Sequence, residues 1–359
     1  MTRGYDTCSV RLQPDPHKLR LVQTREDPIK ESVPVAAATT VPSVRPLLKW
    51  AGGKRQLLQA LNNFYPGQFD RYIEPFFGSG AVFFDLLNQG RLDGRRVRLA
   101  DVNPDLIGAY STLRDHTEAV IDALHTLAAD YRRRGADAYY DVRDLQFNPL
   151  RAAGQVYTPE LTAMLIFLNR TGFNGLFRLN RKGGFNVPVG RYTEPRICDP
   201  DHLRRVAAAF RAPGVTIELS PFDTMLADAS AGDFVYCDPP YAPLSRTSSF
   251  ASYTAAGFST LDQRRLQQAA IAACRRGAHV VISNSSAAEI RSAYTEQDAR
   301  RAGLKVSSVP ARRAINSRAS ARGPVEELII ANVPAATLAR PGLKMARATT
   351  RAAASRRTA

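Results

Sequence analysis

A chain of 359 residues that is 44% hydrophobic is long enough for one large α/β domain with an insertion, or for two domains, around a sizeable core. Its formal charge of +16 and pI near 10.1 favour a polyanionic partner, which is a statement about association rather than fold. No run approaches the roughly eighteen apolar residues of a membrane span. The start, MTRGYDTCSVRLQPD, lacks the apolar stretch of a secretory signal, so a cytoplasmic protein is expected. The four cysteines (Cys8, Cys198, Cys237, Cys274) form no C-x-x-C pair, and neither a disulfide framework nor a metal site is indicated.

Residues 1–45 mix Pro, Thr, Val and charges without a sustained period, and residues 334–359 carry Arg and Lys but no acid. Both read as disordered flanks, the second a basic tail. LLKWAGGKRQLL (47–58) then sets Trp50, a Gly-Gly turn and Lys54 ahead of a helix, offering a ring for apolar contact and an ammonium for a carboxylate. FDRYIEP (69–75) reads as a strand, and EPFFGSGAVFFDLL (74–87) as strand, Gly-x-Gly turn and helix. Gly78 and Gly80 let a ligand approach the backbone at a helix N-terminus. RVRLADVN (96–103) is the next strand; its Asp101 lies about twenty residues past Gly80, where an acid can accept ribose hydroxyls. Without the third glycine of a dinucleotide fingerprint, the pair points to a mononucleoside cofactor such as S-adenosylmethionine.

About 110 residues separate this strand from the next, too many for a structureless loop. An inserted helical subdomain over 111–205 is expected, between two parts of a catalytic domain at 46–110 and 206–333. The stretch LTAMLIFLNRTGFNGLFRLNRKGGFNVPVGRYT (161–193) has no acid and interleaves Arg170, Arg178, Arg181, Lys182 and Arg191 with Phe173, Phe177, Phe185 and asparagines. Such a mixture suits phosphate contact, base-edge reading and wedging into a stack. A cap whose aromatics simply pack the insertion is the other reading. GVTIEL (214–219), DFVYCDPP (233–240) and HVVISNSS (279–286) read as further strands, and DQRRLQQAAIAACRRG (262–277) as a helix between them. LKVSSVPARRAI and VEELIIANV read as a closing hairpin across a basic loop, SRASARGP. The alternation predicts a doubly wound, mainly parallel α/β sheet.

The strand VYCDPPYAPL (235–244) stops at Asp238. Pro239 and Pro240 fix φ, supply no N–H and hold that carboxylate in an extended-to-turn backbone. A carboxylate, the Pro239 carbonyl and the ring of Tyr241 then converge at a strand end. That set suits a planar group that donates two hydrogen bonds and offers a π face, such as a nucleobase with an exocyclic amino group. A surface Asp-Pro loop followed by a tyrosine is the plainer alternative. Cys237, beside Asp238, reads as a small buried strand residue rather than a nucleophile.

KWAGGK, EPFFGSG, ADVN, NRTGFNGLFRLN with GGFNVPVGRY, VYCDPPYAPL and ISNSS, in this order, resemble the DNA adenine-N6 methyltransferase (Dam) family, D12 class, alpha motif order. The resemblance covers about residues 46–333. It implies a Rossmann-like S-adenosylmethionine-dependent methyltransferase sheet with an inserted helical target-recognition subdomain, acting as a monomer on double-stranded DNA without a metal or a membrane. It further implies a cofactor site of Trp50, Lys54, Phe77, Gly78, Gly80, Asp101 and Asp238, and a base pocket of Asp238, Pro239 and Tyr241. DNA contacts are implied for Lys49, Phe173, Asn174, Leu176, Arg178, Pro188, Arg191 and Tyr192. The recognition sequence usual for this insert pattern is GATC, with the adenine extruded from the duplex and methylated by direct transfer. Three rivals are weighed: a cytosine-N4 methyltransferase more usually has serine at the position of Asp238; a protein-glutamine or RNA methyltransferase has asparagine there; a non-enzymatic DNA-binding module leaves Asp101, the Gly-x-Gly turn and DPPY unexplained.

Overall fold

The computed structural model describes residues 43–50, 54–154, 156–242, 258–312 and 324–333. Of the expected flanks at 1–45 and 334–359, residues 1–42 and 334–359 lie outside them, as do the Gly52-Gly53 turn and loop residues 313–323.

Seven strands form one sheet: β1 (Arg71–Glu74), β2 (Arg96–Asp101), β3 (Val215–Leu219), β4 (Asp233–Cys237), β5 (His279–Ser285), β6 (Lys305–Arg312) and β7 (Pro324–Ala331). Their order is β3-β2-β1-β4-β5-β7-β6. The first five run parallel, whereas β7 enters antiparallel between β5 and β6. The anticipated strands and closing hairpin are all present. Chain order reverses between β1 and β4, so the crevice beyond their C-terminal ends is where an open α/β sheet binds its ligand.

Burial on both faces explains the near-continuous apolar strands. Tyr72, Phe234, Tyr236, Val281 and Ile329 face one core, and Ile73, Val235, Cys237, Ile282 and Ile330 face the other. The helix Thr260–Arg275 lies in the second, started by a reciprocal Ser259–Asp262 capping box.

Between β2 and β3 the chain forms the helices Pro104–Asp115, Thr117–Arg134, Ala136–Tyr140, Asn148–Ala152, Pro159–Thr171 and Pro200–Arg211. Asn103, Thr158 and Asp199 cap three of them through their side chains, each followed by proline. The buried face of Pro159–Thr171 belongs to the same core as Tyr72 and Phe234, so the inserted helices continue one layer of the sheet. Among the described residues no helix is long and apolar enough to cross a membrane.

Candidate active site

β1 ends at Glu74 and passes into the Gly-x-Gly turn. Gly78 and Gly80 both take left-handed φ, +47° and +70°, and a Cβ on Gly80 would meet the Phe77 ring at 2.4 Å. Only glycine fits there. The Phe77 ring, expected at the cofactor site, packs under the turn into the core at 2% exposure, against Gly80 and against Phe83, Tyr110 and Phe210. Tyr110 donates from its hydroxyl to the Gly78 carbonyl at 2.7 Å.

Asp101 ends β2 beside this turn. One carboxylate oxygen accepts the Gly78 N–H and the other the Asn103 N–H, each at 2.9 Å. Burial raises its pKa, and these N–H donors pull it back. Each oxygen keeps lone-pair capacity for a ribose hydroxyl. Next to it stands Val102, 49% exposed. Sequence reasoning passed it over; an exposed β-branched residue directly after the acid was the available signal. Trp50 covers the turn from the other side, its Cδ1 3.2 Å from where a Gly78 Cβ would stand, and stacks on Phe177 with centroids 5.5 Å apart.

Across the switch point, β4 ends at Cys237 and Asp238 follows at the crevice. Lys54 Nζ lies 2.8 Å from Asp238 Oδ1 and 4.4 Å from the Tyr241 ring centroid. The Ser283 hydroxyl donates to the same Oδ1 at 2.9 Å, and Tyr241 donates to Glu327 Oε2 at 2.8 Å. Burial pushes the Asp238 carboxyl above the usual range, Lys54 and Ser283 oppose that, and Glu327 adds to it. The Tyr241 phenol is raised by burial, then by the Asp238 and Glu327 charges. Cys237 is buried with its thiol pushed up by burial, the state of a strand residue rather than a nucleophile.

The loop after Asp238 is clamped by residues the motif reading did not explain. Gln263 donates to the Pro240 carbonyl, Asn284 accepts the Ala242 N–H, and Ser285 donates to the Ala242 carbonyl. A run of buried polar residues at the end of the apolar strand HVVISNS was the signal for this role.

The stretch 172–190 is an irregular antiparallel hairpin with only isolated bridges at Gly172–Val189 and Leu179–Phe185. Its backbone groups are satisfied partly by one another, as in Asn180 N–H to the Gly184 carbonyl and Asn186 N–H to the Arg178 carbonyl, and partly by side chains. Tyr139 and Arg143 donate to the Val187 carbonyl, Asn148 bonds both backbone groups of Phe185, and Arg151 joins Asp105 to the Gly183 carbonyl. Asn169, another residue sequence reasoning missed, accepts the Lys49 N–H and donates to the Lys49 and Gly175 carbonyls.

Two expectations for this hairpin need correcting. Phe177 and Phe185 do not wedge outward; at 4% and 2% exposure they are core residues, because the hairpin has little else to bury. Arg170, on the helix before the hairpin, is not a free surface cation either: half-buried, it donates to the Leu47 carbonyl. The residues expected at DNA fall as follows. Lys49, Phe173, Asn174, Pro188 and Arg191 are exposed, while Leu176, Arg178 and Tyr192 are half-buried. Lys49 Nζ sits 4.4 Å from the Tyr192 ring centroid, and the Phe173 N–H reaches the Pro188 carbonyl. Asn174 is the one non-glycine with positive φ (+54°) among the described residues. Arg178 donates from Nε and one terminal nitrogen to the side chain and backbone oxygens of Asn186.

A mainly parallel sheet in this order, with a glycine turn, an acid after the second strand and an Asp-Pro-Pro-Tyr loop at the switch point, defines a Rossmann-like methyltransferase. Residues 50–312 match the model of the D12 class N6 adenine-specific DNA methyltransferases. The chain is 34% identical over 291 residues to a type II methyltransferase of Lactococcus lactis subsp. cremoris, covering 81% of this chain and 96% of that protein. It is 36% identical over 299 residues to a type II methyltransferase of Methanocaldococcus jannaschii (80% and 99% covered), and 35% identical over 289 residues to the DNA adenine methylase of Escherichia coli K12 (79% and 94% covered). The chain belongs to the D12 class of N6 adenine-specific DNA methyltransferases and is an enzyme that methylates adenine in DNA.

Proposed function

We propose that S-adenosylmethionine is held between Trp50, the Gly78–Gly80 turn, Asp101 and Lys54, and that an adenine extruded from duplex DNA enters the pocket of Asp238, Pro239 and Tyr241. One observation carries this reading: the Asp238 carboxylate, the Lys54 ammonium and the Tyr241 ring meet at the β1/β4 switch point. The residues present fit the cofactor. A turn with left-handed glycines at 78 and 80 gives backbone access, Asp101 offers acceptors to a ribose, Val102 an apolar surface to a base, and Lys54 a cation to a carboxylate. When bound, S-adenosylmethionine supplies the sulfonium methyl group.

The chain's own residues make the amino nitrogen able to receive it. Adenine's N6 lone pair is conjugated into the ring. Asp238 and the Pro239 carbonyl, as acceptors of its two N–H bonds, turn that lone pair out of conjugation and orient it. Positive charge developing on the nitrogen is stabilised by the adjacent carboxylate. Extrusion costs a few kcal/mol of unstacking, partly offset by stacking on Tyr241.

The recognition surface in this reading comprises Lys49, Phe173, Asn174, Leu176, Arg178, Pro188, Arg191 and Tyr192, and the site is GATC. Arginine paired with guanine and apolar contact with a thymine methyl suit that sequence. All of this surface except Lys49 is carried by a subdomain at 111–205, within a catalytic domain of 46–110 and 206–333. The reading takes the enzyme to act as a monomer on double-stranded DNA. The test is transfer of labelled methyl to duplexes carrying GATC or its single-substitution variants, with nuclease digestion that distinguishes methylated from unmethylated GATC. Equal transfer to all variants would remove GATC, and unchanged cofactor binding in both Lys54→Ala and Asp101→Ala would remove the cofactor site.

A further inference from the structure

We infer that Tyr236 and Ser283 form a buried hydrogen-bond relay that orients Asp238, holding Oδ1 within the protein and presenting Oδ2 to the target amino group. The inference rests on the reading that Asp238 accepts that group.

Ser283 is 0% exposed in the strand HVVISNS, where alanine would pack without a polar cost. Its hydroxyl donates to Asp238 Oδ1 at 2.9 Å and lies 3.0 Å from the hydroxyl of Tyr236, which is also fully buried. A serine hydroxyl has one hydrogen. With that hydrogen on Asp238, Tyr236 must be the donor to Ser283, so the chain runs Tyr236 to Ser283 to Asp238. Register makes the arrangement possible. Tyr236 pairs with Val281 across β4 and β5, and strand alternation brings Ser283 to the same face one step further along, level with the end of β4.

Lys54 Nζ also binds Oδ1, so two donors converge on one oxygen. A carboxylate held by an ammonium alone can pivot, because an ammonium is a point charge with rotatable donors. A second, fixed donor removes that freedom. The bond is charge-assisted and therefore stronger than a hydroxyl pair between neutral groups. Tyr236 and Ser283 are thus positioning residues: neither touches substrate, and both act through Asp238.

The test is single-turnover methyl transfer on a duplex that the wild type methylates, with equilibrium dialysis of S-adenosylmethionine, DNA affinity, thermal unfolding and the pH dependence of the rate. Ser283→Ala is expected to slow transfer about ten- to a hundredfold, the worth of a hydrogen bond to a charged group, with both affinities held within about twofold. Its acid limb moves to higher pH, because a lost donor to the carboxylate favours the protonated form. The other groups facing Asp238 stay in place: Lys54 before the sheet, Glu74 at the end of β1, Cys237 and Tyr241 beside it, and Glu327 on β7. Tyr236→Phe keeps the ring and should show a smaller slowing in the same direction. The double variant should be no slower than Ser283→Ala, and Ser283→Thr should recover most of the rate. A wild-type rate with an unmoved acid limb in either single variant, or additive losses in the double, overturns the relay. If Ser283→Ala does not fold, Tyr236→Phe decides alone by the same criteria. Asp238→Asn separates the two levels: its retaining activity would overturn the reading of Asp238, whereas its inactivity beside a wild-type-like Ser283→Ala overturns the relay only.

Discussion

The crevice around Asp238 and the hairpin at 172–190 are held in different ways. Around Asp238 the polar side chains engage one another, Lys54 and Ser283 on one carboxylate oxygen and Tyr241 on Glu327. Asp101 ends β2 and Asp238 follows β4, Ser283 and Glu327 stand within β5 and β7, and Lys54 comes from the helical turn Lys54–Gln56 before the sheet. Along 172–190 the situation is reversed. The backbone has almost no ladder, so Tyr139, Arg143, Asn148, Asn169 and Arg151 are recruited to satisfy it, while Lys49, Arg181, Lys182 and Arg191 remain exposed. Chemistry requires a fixed geometry, which strands supply at little cost. Reading a polyanion requires cations that still face water, carried on a backbone free to depart from a ladder.

The widest separation between the two regions should come from Asp238→Ala. Turnover falls by more than about a thousandfold, since an acceptor and the stabilising anion are lost together, while duplex affinity stays within about twofold. Retention of a tenth or more of the rate would show that the pocket is not the reaction centre. The wild-type pH profile sharpens the point. Because burial holds the Asp238 carboxyl above its usual range, transfer should fail on acidification earlier than an ordinary carboxylate would allow, as the pH drops through that raised value.

Phe185→Ala probes the other region through its packing. Removing a ring that is 2% exposed should cost about 3–5 kcal/mol of stability by denaturant unfolding. Below its melting temperature the variant should lose duplex affinity and keep S-adenosylmethionine affinity. Equal loss of both would mean that the hairpin and the reaction centre are one cooperative unit.

Arg178→Ala has a smaller, more local effect. A guanidinium has five N–H donors, and Asn186 engages two of those of Arg178, which leaves a terminal edge for guanine and fixes the plane of the fork. Discrimination at one outer base pair should relax by about 1–3 kcal/mol, read as methylation rates across single-substitution duplexes. A uniform loss would instead make Arg178 a phosphate contact. The smallest change is expected from Lys49→Ala. Exposed and seated on Tyr192, it should weaken all duplexes evenly and lower the salt slope of binding by about 1 if it neutralises a phosphate. An unchanged slope would take Lys49 off the backbone.

Local signals carried the sheet and its ligand-binding end. Strand periodicity, the Gly-x-Gly turn, the acid ending RVRLAD and the prolines that stop VYC are all written in windows of a few residues, and each lies where the sequence puts it. The opening sequence could not tell which aromatics of the insert face out, because Phe173, Phe177 and Phe185 share one composition and differ only in what the inserted helices cover. Nor could it show that Lys54 sits on Asp238, that Ser283 and Glu327 close the pocket from β5 and β7, or that Asn169 ties Lys49 to the Gly175 turn. Those contacts join residues up to 184 positions apart. Propensity and period act within a window, whereas strand order and register decide which distant side chains reach the same crevice, and only the assembled sheet sets them.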